Sequence, residues 1–226
     1  MHTDNALLRT KQFYDAYGQA YDRQTSAFHE VIAYPRFLDC LKRAGPLIGI
    51  RILDLGCGSG RFVRLLGEQG ADAHGIEVSG EQVQASQTPH VIEGAMESLP
   101  YLEQWFDTLV SYHSVNYLPP EALMSAIEEQ RRVLKPGGCV YHACMPPESS
   151  VTKLALEKGL PITPYTEAEL RDLFAGHGFE AVSFHEWYAP HGLLHHIAPE
   201  TDNDGRKMLE LFYAEPYALL LTALRP

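Results

Sequence analysis

The sequence of 226 residues lacks several features that would assign a protein class at once. Its four cysteines show no paired C-x-x-C spacing, so neither a zinc site nor a disulfide framework is indicated. The first residues have no apolar core of the kind a signal peptide needs, and the longest apolar run, YALLLTAL, is too short to cross a bilayer. We therefore expect a soluble cytoplasmic protein with reduced thiols and no membrane partner.

Positive charge is also scarce. Lysine and arginine number 18 against 29 acidic residues, a formal net charge of −11, and no basic run could follow a phosphate backbone. This balance argues against nucleic acid as a partner. The length suits one domain of ordinary size with a small cap, present as a monomer or a homodimer.

Residues 1–45 are predicted to form an N-terminal helical cap of two helices, separated near residues 24–26, because apolar and aromatic residues recur there at helical spacing. In the domain 46–226, short apolar runs alternate with amphipathic segments, which predicts an α/β fold with a doubly wound parallel sheet. Two insertions, near 146–165 and 189–206, are longer than typical connections and are expected to be lids or binding loops. The predicted strands lie near 51–55, 72–77, 90–93, 106–111, 138–144, 179–187 and 217–224, and the later helices near 60–69, 80–86, 120–134 and 166–176.

A carboxylate, Asp54, stands just before a glycine-rich turn, where it would repel a phosphate and favour an ammonium group. Gly56, Gly58 and Gly60 give the spacing G-x-G-x-G, and Arg61 occupies the third glycine position of a dinucleotide fingerprint. Glu77 closes the second predicted strand, where an acidic side chain can accept both ribose hydroxyls. These residues indicate a nucleoside with a cationic tail and no phosphate, as in S-adenosylmethionine.

The stretch ILDLGCGSG resembles the first motif of the class I S-adenosylmethionine-dependent methyltransferases, and further patterns of that family follow in order. They are GIEVS at the ribose-binding strand end, EGAMESLP at the adenine loop, FDTLVSYHSVNYL at the fourth strand and RRVLKPGG before the fifth. The resemblance covers roughly residues 10–190 and the final strand. It implies a Rossmann-like sheet of seven strands with the last antiparallel, and methyl transfer from S-adenosylmethionine to a small molecule, as in enzymes of ubiquinone and menaquinone biosynthesis.

The resemblance also implies which residues bind the cofactor. Ala95 departs from the family, which often has an acidic residue directly after this glycine; Glu97 either supplies the missing acceptor for the adenine amino group or faces solvent. Tyr14 and Tyr21 lie seven residues apart on one helical face, and either contact the cofactor or belong to the core. The predicted cofactor-binding residues are Tyr14, Tyr21, Asp54, Gly56, Cys57, Gly58, Gly60, Glu77, Val78, Ala95, Met96, Glu97 and Ser111.

The methyl acceptor is expected beside the residues that follow the fourth strand. A hydroxyl or phenol acceptor needs a base, and histidine titrates in the right range, so His113 is the candidate catalytic residue; the alternative is a hydrogen bond within a strand-end turn. Whether oxygen or nitrogen is methylated stays open. The predicted acceptor-binding residues are Tyr112, His113, Asn116, Trp187 and His191.

The spacing of His191 and His195 could suit a metal, but no third ligand is evident, so no metal is predicted. A binding or regulatory module that retains the cofactor without transferring a methyl group is the main alternative function, and a filled acceptor cavity would indicate it. Other chemistry on the same cofactor is the third possibility.

Overall fold

A computed structural model describes residues 2–189 and 215–226, without the side chains of residues 2–5, 19, 21, 22 and 24. The helices are α1 (His2–Phe28), α2 (Tyr34–Ala44), α3 (Arg61–Glu68), α4 (Gly80–Ala85), α5 (Pro120–Val133), α6 (Ser150–Glu157) and α7 (Glu167–Gly176). The strands are β1 (Arg51–Leu55), β2 (Asp72–Glu77), β3 (Val91–Glu93), β4 (Phe106–Tyr112), β5 (Leu134–Cys144), β6 (Glu180–Trp187) and β7 (Ala218–Leu224). A π-helical segment, His29–Ala33, joins α1 to α2, and a 3-10 turn, Ser114–Tyr117, follows β4.

The described strands form one seven-stranded sheet in the order β3-β2-β1-β4-β5-β7-β6. The first five are parallel, and β7 runs antiparallel to both of its neighbours. This arrangement confirms the predicted doubly wound, mostly parallel sheet. The order of the strands reverses between β1 and β4, since β2 and β3 lie on one side of β1 and the later strands lie on the other. This switch point is where open α/β sheets place a ligand, beyond the carboxyl ends of the strands.

The core lies on both faces of the sheet because both are covered by helices. On one face Ile52 packs with Phe37 and Phe62, and on the other Leu53 packs with Ile127. All five residues are at most 2 % exposed, and burying each such side chain contributes about 1.5–3 kcal/mol. The strand β1 is therefore held rigidly from both sides, which fixes the position of the turn that follows it.

The predicted break in the cap at residues 24–26 is wrong. The helix α1 continues to Phe28, and the irregular segment is the π-helical turn His29–Ala33. Pro35 lies in the first turn of α2 and has no amide hydrogen to donate to the carbonyl four residues earlier, so the helix widens just before it. A break at residues 24–26 and a π-helical turn a few residues later give nearly the same periodicity of apolar residues, so the sequence does not distinguish them.

Two other boundaries differ from the prediction. The strand β5 begins at Leu134, four residues early, because Leu134 pairs with Phe106 before a register shift accommodates the Pro-Gly-Gly residues. The insertion near 146–165 contains the helix α6, which Ser149 caps by accepting a hydrogen bond from the Thr152 amide. Of the insertion 189–206, the structure describes Ala189 alone. In the described parts of the chain, no helix is both long enough and apolar enough to cross a bilayer.

Candidate active site

The glycine turn after β1 is held in one backbone conformation. Gly56, Gly58 and Gly60 have φ values of 72°, 55° and 72°, in the left-handed region that side-chain-bearing residues rarely adopt. The Gly56 amide donates to the Ile76 carbonyl at 2.8 Å, and Ser114 Oγ donates to the Gly56 carbonyl at 3.0 Å. A Cβ atom on Gly56 would overlap the Ser114 side chain. The turn is therefore tied to β2 on one side and to the end of β4 on the other.

Glu77 at the end of β2 is positioned by two backbone amides. Its Oε2 accepts from the Gly58 amide and its Oε1 from the Ser79 amide, each at 2.9 Å. The side chain is 6 % exposed. Each carboxylate oxygen can accept more than one hydrogen bond, which is the property that recognition of hydroxyl donors requires.

Asp54 lies at the end of β1, opposite Val110 of β4, and only 4 % of it is exposed. Burial, and secondly the negative charge of Glu77, raise the pKa of the Asp54 carboxyl to about 8. No cationic side chain among the described residues counters this shift of the pKa. A ligand cation placed beside Asp54 would stabilise the ionised form, so this position suits an ammonium group.

Glu97, in the loop after β3, provides a second site for a ligand donor. Its Oε2 is buried and has no hydrogen-bond partner in the described part of the chain. Burial raises the pKa of the Glu97 carboxyl. A buried acceptor without a donor is costly, and an amino group of a base would satisfy it. Glu97 thus faces the cavity, as one of its two predicted placements requires, although whether it contacts adenine stays a prediction.

Hydrogen bonds and an ion pair hold helix α1 of the cap against the ends of the strands. Lys11 Nζ donates to the Val78 carbonyl at 3.0 Å and pairs with Glu93 at 2.7 Å, and Ser79 Oγ donates to Asp15 at 2.6 Å. These bonds fasten α1 to the segment that follows β2. The cavity beneath is therefore covered on that side by the cap.

The cavity has a volume of about 630 Å³, within the range of small-molecule sites. It extends from the glycine turn to the half of the sheet formed by β4 and β5. Twelve of the predicted site residues line it: Tyr14, Asp54, Gly56, Cys57, Gly58, Glu77, Val78, Ala95, Met96, Glu97, Tyr112 and His113. The strand ends thus bring together residues that are far apart in sequence.

His113 begins the segment after β4 with a φ of 59°, an uncommon conformation for a residue other than glycine. Its ring lines the cavity and forms a hydrogen bond to the Tyr217 backbone, while Nε2 is buried and has no partner in the described residues. Burial lowers the pKa of His113 to about 4. The imidazole is consequently neutral at pH 7, the state that a proton acceptor requires.

Four predicted site residues do not line the cavity, which corrects the sequence analysis. Gly60 shapes the turn as the residue before α3, and Ser111 is fully buried within β4. Asn116 instead joins two loops, accepting from the Met145 amide at 2.8 Å and donating to the Thr163 carbonyl at 3.1 Å. Trp187 is a core residue whose ring packs edge-on against Phe37, with centroids 5.5 Å apart. The side chain of Tyr21 and the whole of His191 lie outside the described part of the chain.

Sequence reasoning missed the contribution of the cap to the far half of the cavity. His29, on the π-helical segment, stacks on Tyr34 and meets Tyr112 edge-on, with ring centroids 5.2 Å and 5.1 Å apart. Arg61 Nη2 lies 3.3 Å from His29 Nδ1. Arginine has only donors, so this nitrogen of His29 accepts. The one feature of the sequence that could have indicated this contact is Arg61, which occupies the position of the third glycine in a dinucleotide-binding site.

No group of three or more His, Cys, Asp or Glu residues in the described ranges is arranged to hold a metal ion. The histidines at 191, 195 and 196 lie outside those ranges.

The fold and site together define a class. A seven-stranded doubly wound sheet with β7 antiparallel, and a carboxylate-flanked glycine turn at its switch point, form the class I methyltransferase fold. Residues 53–142 match the family model described as "Methyltransferase domain". The chain therefore contains a region similar to a methyltransferase domain, within a fold that it shares with S-adenosylmethionine-dependent methyltransferases.

Individual relatives agree with this assignment. The chain is 27% identical over 124 residues to a malonyl-[acyl-carrier protein] O-methyltransferase of Pectobacterium atrosepticum, covering 50% of this chain and 48% of the relative. It is 27% identical over 139 residues to a ubiquinone biosynthesis O-methyltransferase of Paracidovorax citrulli, covering 57% and 56%. This chain therefore spans about half the length of these curated relatives.

A solved structure extends the likeness over almost the whole fold. It is a chain of the complex between the Haloferax volcanii Trm112 methyltransferase activator and a methyltransferase, with a TM-score of 0.74 and 24% identity over 96% of this chain and 97% of that one. At this level of identity the likeness shows the fold alone.

Proposed function

We propose that this protein transfers a methyl group from S-adenosylmethionine to an oxygen or nitrogen atom of a small molecule. The observation that carries the proposal is the continuity of the cavity, which joins the Asp54 and Glu77 end to an open half beside β4 and β5. A cofactor at the first end leaves room for an acceptor at the second. Both curated relatives described above are named as O-methyltransferases.

The residues at the glycine turn fit the cofactor. Asp54 would accept hydrogen bonds from its ammonium group, Glu77 from its ribose hydroxyls and Glu97 from its adenine amino group. The three glycines and the fixed backbone of the turn allow close approach of a ligand without a phosphate. When bound, S-adenosylmethionine supplies a methyl group on a positively charged sulfur.

His113 is proposed as the residue that takes the acceptor proton. Its unpartnered Nε2 has a lone pair because the other ring nitrogen makes the hydrogen bond to the Tyr217 backbone. A positioned base of this kind contributes typically 10²–10⁴-fold in rate. The remainder of the catalysis is positioning, since a methyl group is transferred in line to a nucleophile held nearby.

The principal alternative, a cofactor-binding module without activity, called for a filled acceptor cavity. The side chains described around the β4 and β5 half leave that cavity open, which favours an enzyme. The apolar face of α6 supports the same conclusion, because Val151, Leu154 and Ala155 line a space that a regulatory module would have no need to keep.

The test is incubation with methyl-labelled S-adenosylmethionine and a panel of phenols, carboxylates, thiols and amines. We expect label transfer to at least one class. The variant His113→Gln should lower turnover and leave the affinity for S-adenosylhomocysteine unchanged. His185→Gln, an exposed histidine on β6, serves as the matched control. Tight cofactor binding without transfer to any class would contradict the proposal, and equal turnover in His113→Gln would remove His113 from the mechanism.

A further inference from the structure

The charged side chains around the cavity are divided between its two halves. The carboxylates on the described wall are Asp54 and Glu77, at the ends of β1 and β2, and Glu97, in the loop after β3. The described side chains that the cap and the segments after β4 and β5 contribute include no carboxylate. The negative charge thus lies at the cofactor end, where the ammonium and sulfonium groups of the cofactor would be held.

Positive charge lies on the remaining wall. Arg23 of α1 and Lys158 at the end of α6 are exposed at the rim. Arg61 is enclosed, with 13% of its side chain exposed; it contacts His29 of the cap and forms an ion pair with Glu30 at 3.9 Å, so Arg23 and Lys158 carry most of the local excess of positive charge. In a chain with a net charge of −11 this is a local reversal of sign, and clefts lined by one sign of charge concentrate ligands of the other.

Flat rings form much of the wall between these charges. Tyr34 stacks on Phe62 with centroids 4.9 Å apart and an angle of 23° between the rings. Tyr112 stacks on His113 with centroids 4.2 Å apart and an angle of 24°. All four line the cavity, and α6 adds aliphatic side chains. Such walls favour a planar aromatic ligand, because aromatic pairs gain from stacked and edge-on contacts beyond the area they bury.

We propose, on the basis of the proposed function, that the acceptor is an anionic aromatic hydroxyl compound. Its ring lies against the aromatic wall, and its anionic group is attracted by Arg23 and Lys158. The hydroxyl proton passes to His113 Nε2, a bond forms between the hydroxyl oxygen and the methyl carbon, and the carbon–sulfur bond breaks with its electron pair left on a neutral thioether. A protonated amine is disfavoured because the described wall of this half has no carboxylate to pair with it.

Arg61 follows the glycine turn directly, so its charge acts on both ends of the cavity. Arg23 and Lys158 belong to the cap and to the segment after β5, which makes them the residues that separate acceptor recognition from cofactor binding. Lys153 is the matched control for Lys158. It lies on the same helix, is exposed, pairs with Glu148 at 3.6 Å and does not line the cavity.

The test is calorimetric titration of the full chain saturated with S-adenosylhomocysteine. Three probes share one ring and two hydroxyls: 3,4-dihydroxybenzoate, catechol and 3,4-dihydroxybenzylamine. We expect the acid to bind most tightly and the amine most weakly, with the preference decreasing as salt is added. Lys158→Gln should weaken binding of the acid about two- to fivefold, the range of an exposed ion pair, and leave catechol unchanged. Lys153→Gln should change neither.

The inference would be overturned by equal affinities for the three probes, by tightest binding of the amine, or by binding of none of them. It would also be overturned if the variant with both Arg23→Gln and Lys158→Gln bound the acid as tightly as the wild type. The proposed function is judged separately. Absence of S-adenosylhomocysteine binding in the titrations would overturn both proposals. In the assay with methyl-labelled S-adenosylmethionine, label transfer to the amine in preference to the acid would overturn the acceptor class alone.

Discussion

The raised pKa of Asp54 predicts that binding of an ammonium-bearing ligand depends on pH and releases a proton. In the ligand-free protein the Asp54 carboxyl has a pKa of about 8, so it is mostly protonated at pH 7. A ligand ammonium favours the ionised form, which lowers the pKa in the complex. Binding of S-adenosylhomocysteine must therefore remove the proton, and affinity should rise with pH.

The size of the effect follows from the distance between the pH and the pKa. One pH unit below a pKa of about 8, roughly nine-tenths of the carboxyl groups are protonated, so binding at pH 7 releases about 0.9 proton. Only the ionised fraction is competent, so the dissociation constant should increase about tenfold from pH 7 to pH 6 and level off above about pH 8.5.

Three other groups around the cavity have pKa values shifted away from this window. Burial lowers the pKa of His113 to about 4 and, with the nearby Arg61 charge, lowers the pKa of His29 well below its usual value. Burial also raises the pKa of the Cys57 thiol well above its usual value. Because burial raises the pKa of Glu97 as well, a proton is assigned to Asp54 when the wild-type protein releases it between pH 6 and pH 8 and the Asp54→Asn variant does not.

The assay is isothermal titration calorimetry at pH 7 in phosphate and in Tris. The two buffers differ in ionisation enthalpy, so the difference in observed heat gives the number of protons released. Asp54→Asn should bind with no dependence on pH and about 10- to 100-fold more weakly at pH 8.5, the value of a hydrogen bond to a charged group. Asp172→Asn, exposed on α7, is the control. Equal heats in the two buffers with wild-type protein would refute this account of Asp54.

Three further predictions concern stability and the turn. Asp54→Asn should raise the melting temperature of the ligand-free protein, and the difference from wild type should widen from pH 4 to pH 8. The reason is that folding raises the pKa of Asp54, so the wild-type protein loses stability as the pH rises toward that pKa. A difference in melting temperature that stays constant with pH would contradict this. Gly56→Ala should lower both the melting temperature and the affinity for S-adenosylhomocysteine, since its φ is 72° and its Cβ would overlap Ser114. Thr166→Ala should lower the unfolding free energy by about 1 kcal/mol in urea titrations, because it breaks the capping box with Glu169. The unfolding free energy of Thr166→Ser should stay near that of wild type, and the affinity of Thr166→Ala for S-adenosylhomocysteine should be unchanged.

The parallel sheet could be predicted because buried strands have a strong local signature. Strands β1 and β2 begin and end at the predicted residues, since short segments that contain apolar residues and lie between turn-forming glycines are typical of strands in a covered sheet. The start of α7 was equally predictable, because Thr166 and Glu169 satisfy each other across one turn. The glycine turn and its two carboxylates were visible for the same reason: the relevant residues are adjacent to strand ends.

Apart from Tyr112 and His113, the acceptor half could not be predicted, because its walls come from elements whose juxtaposition is not encoded locally. His29 reaches the cavity only through the π-helical turn before Pro35, and a five-residue π turn has no periodicity of its own. Trp187 follows Phe184 and His185 in a polar, exposed-looking strand, yet its ring faces Phe37 of the cap. Local sequence describes which face of a strand is apolar, but not which distant helix covers it.

Several costly features of the described structure lie at the cavity. Asp54 is a buried carboxyl without a cationic partner, Glu97 Oε2 and His113 Nε2 are buried without partners, and the His113 backbone is in the left-handed region. Each costs of order 1–3 kcal/mol, and none is repaid by contacts within the described chain. One ligand pair would stabilise all three side chains: an ammonium would favour the ionised form of Asp54, an amino group would donate to Glu97, and a hydroxyl would donate to His113. A fold under no demand for binding would replace these groups with apolar residues and be more stable, so their presence together is itself an argument that the cavity is built around two ligands.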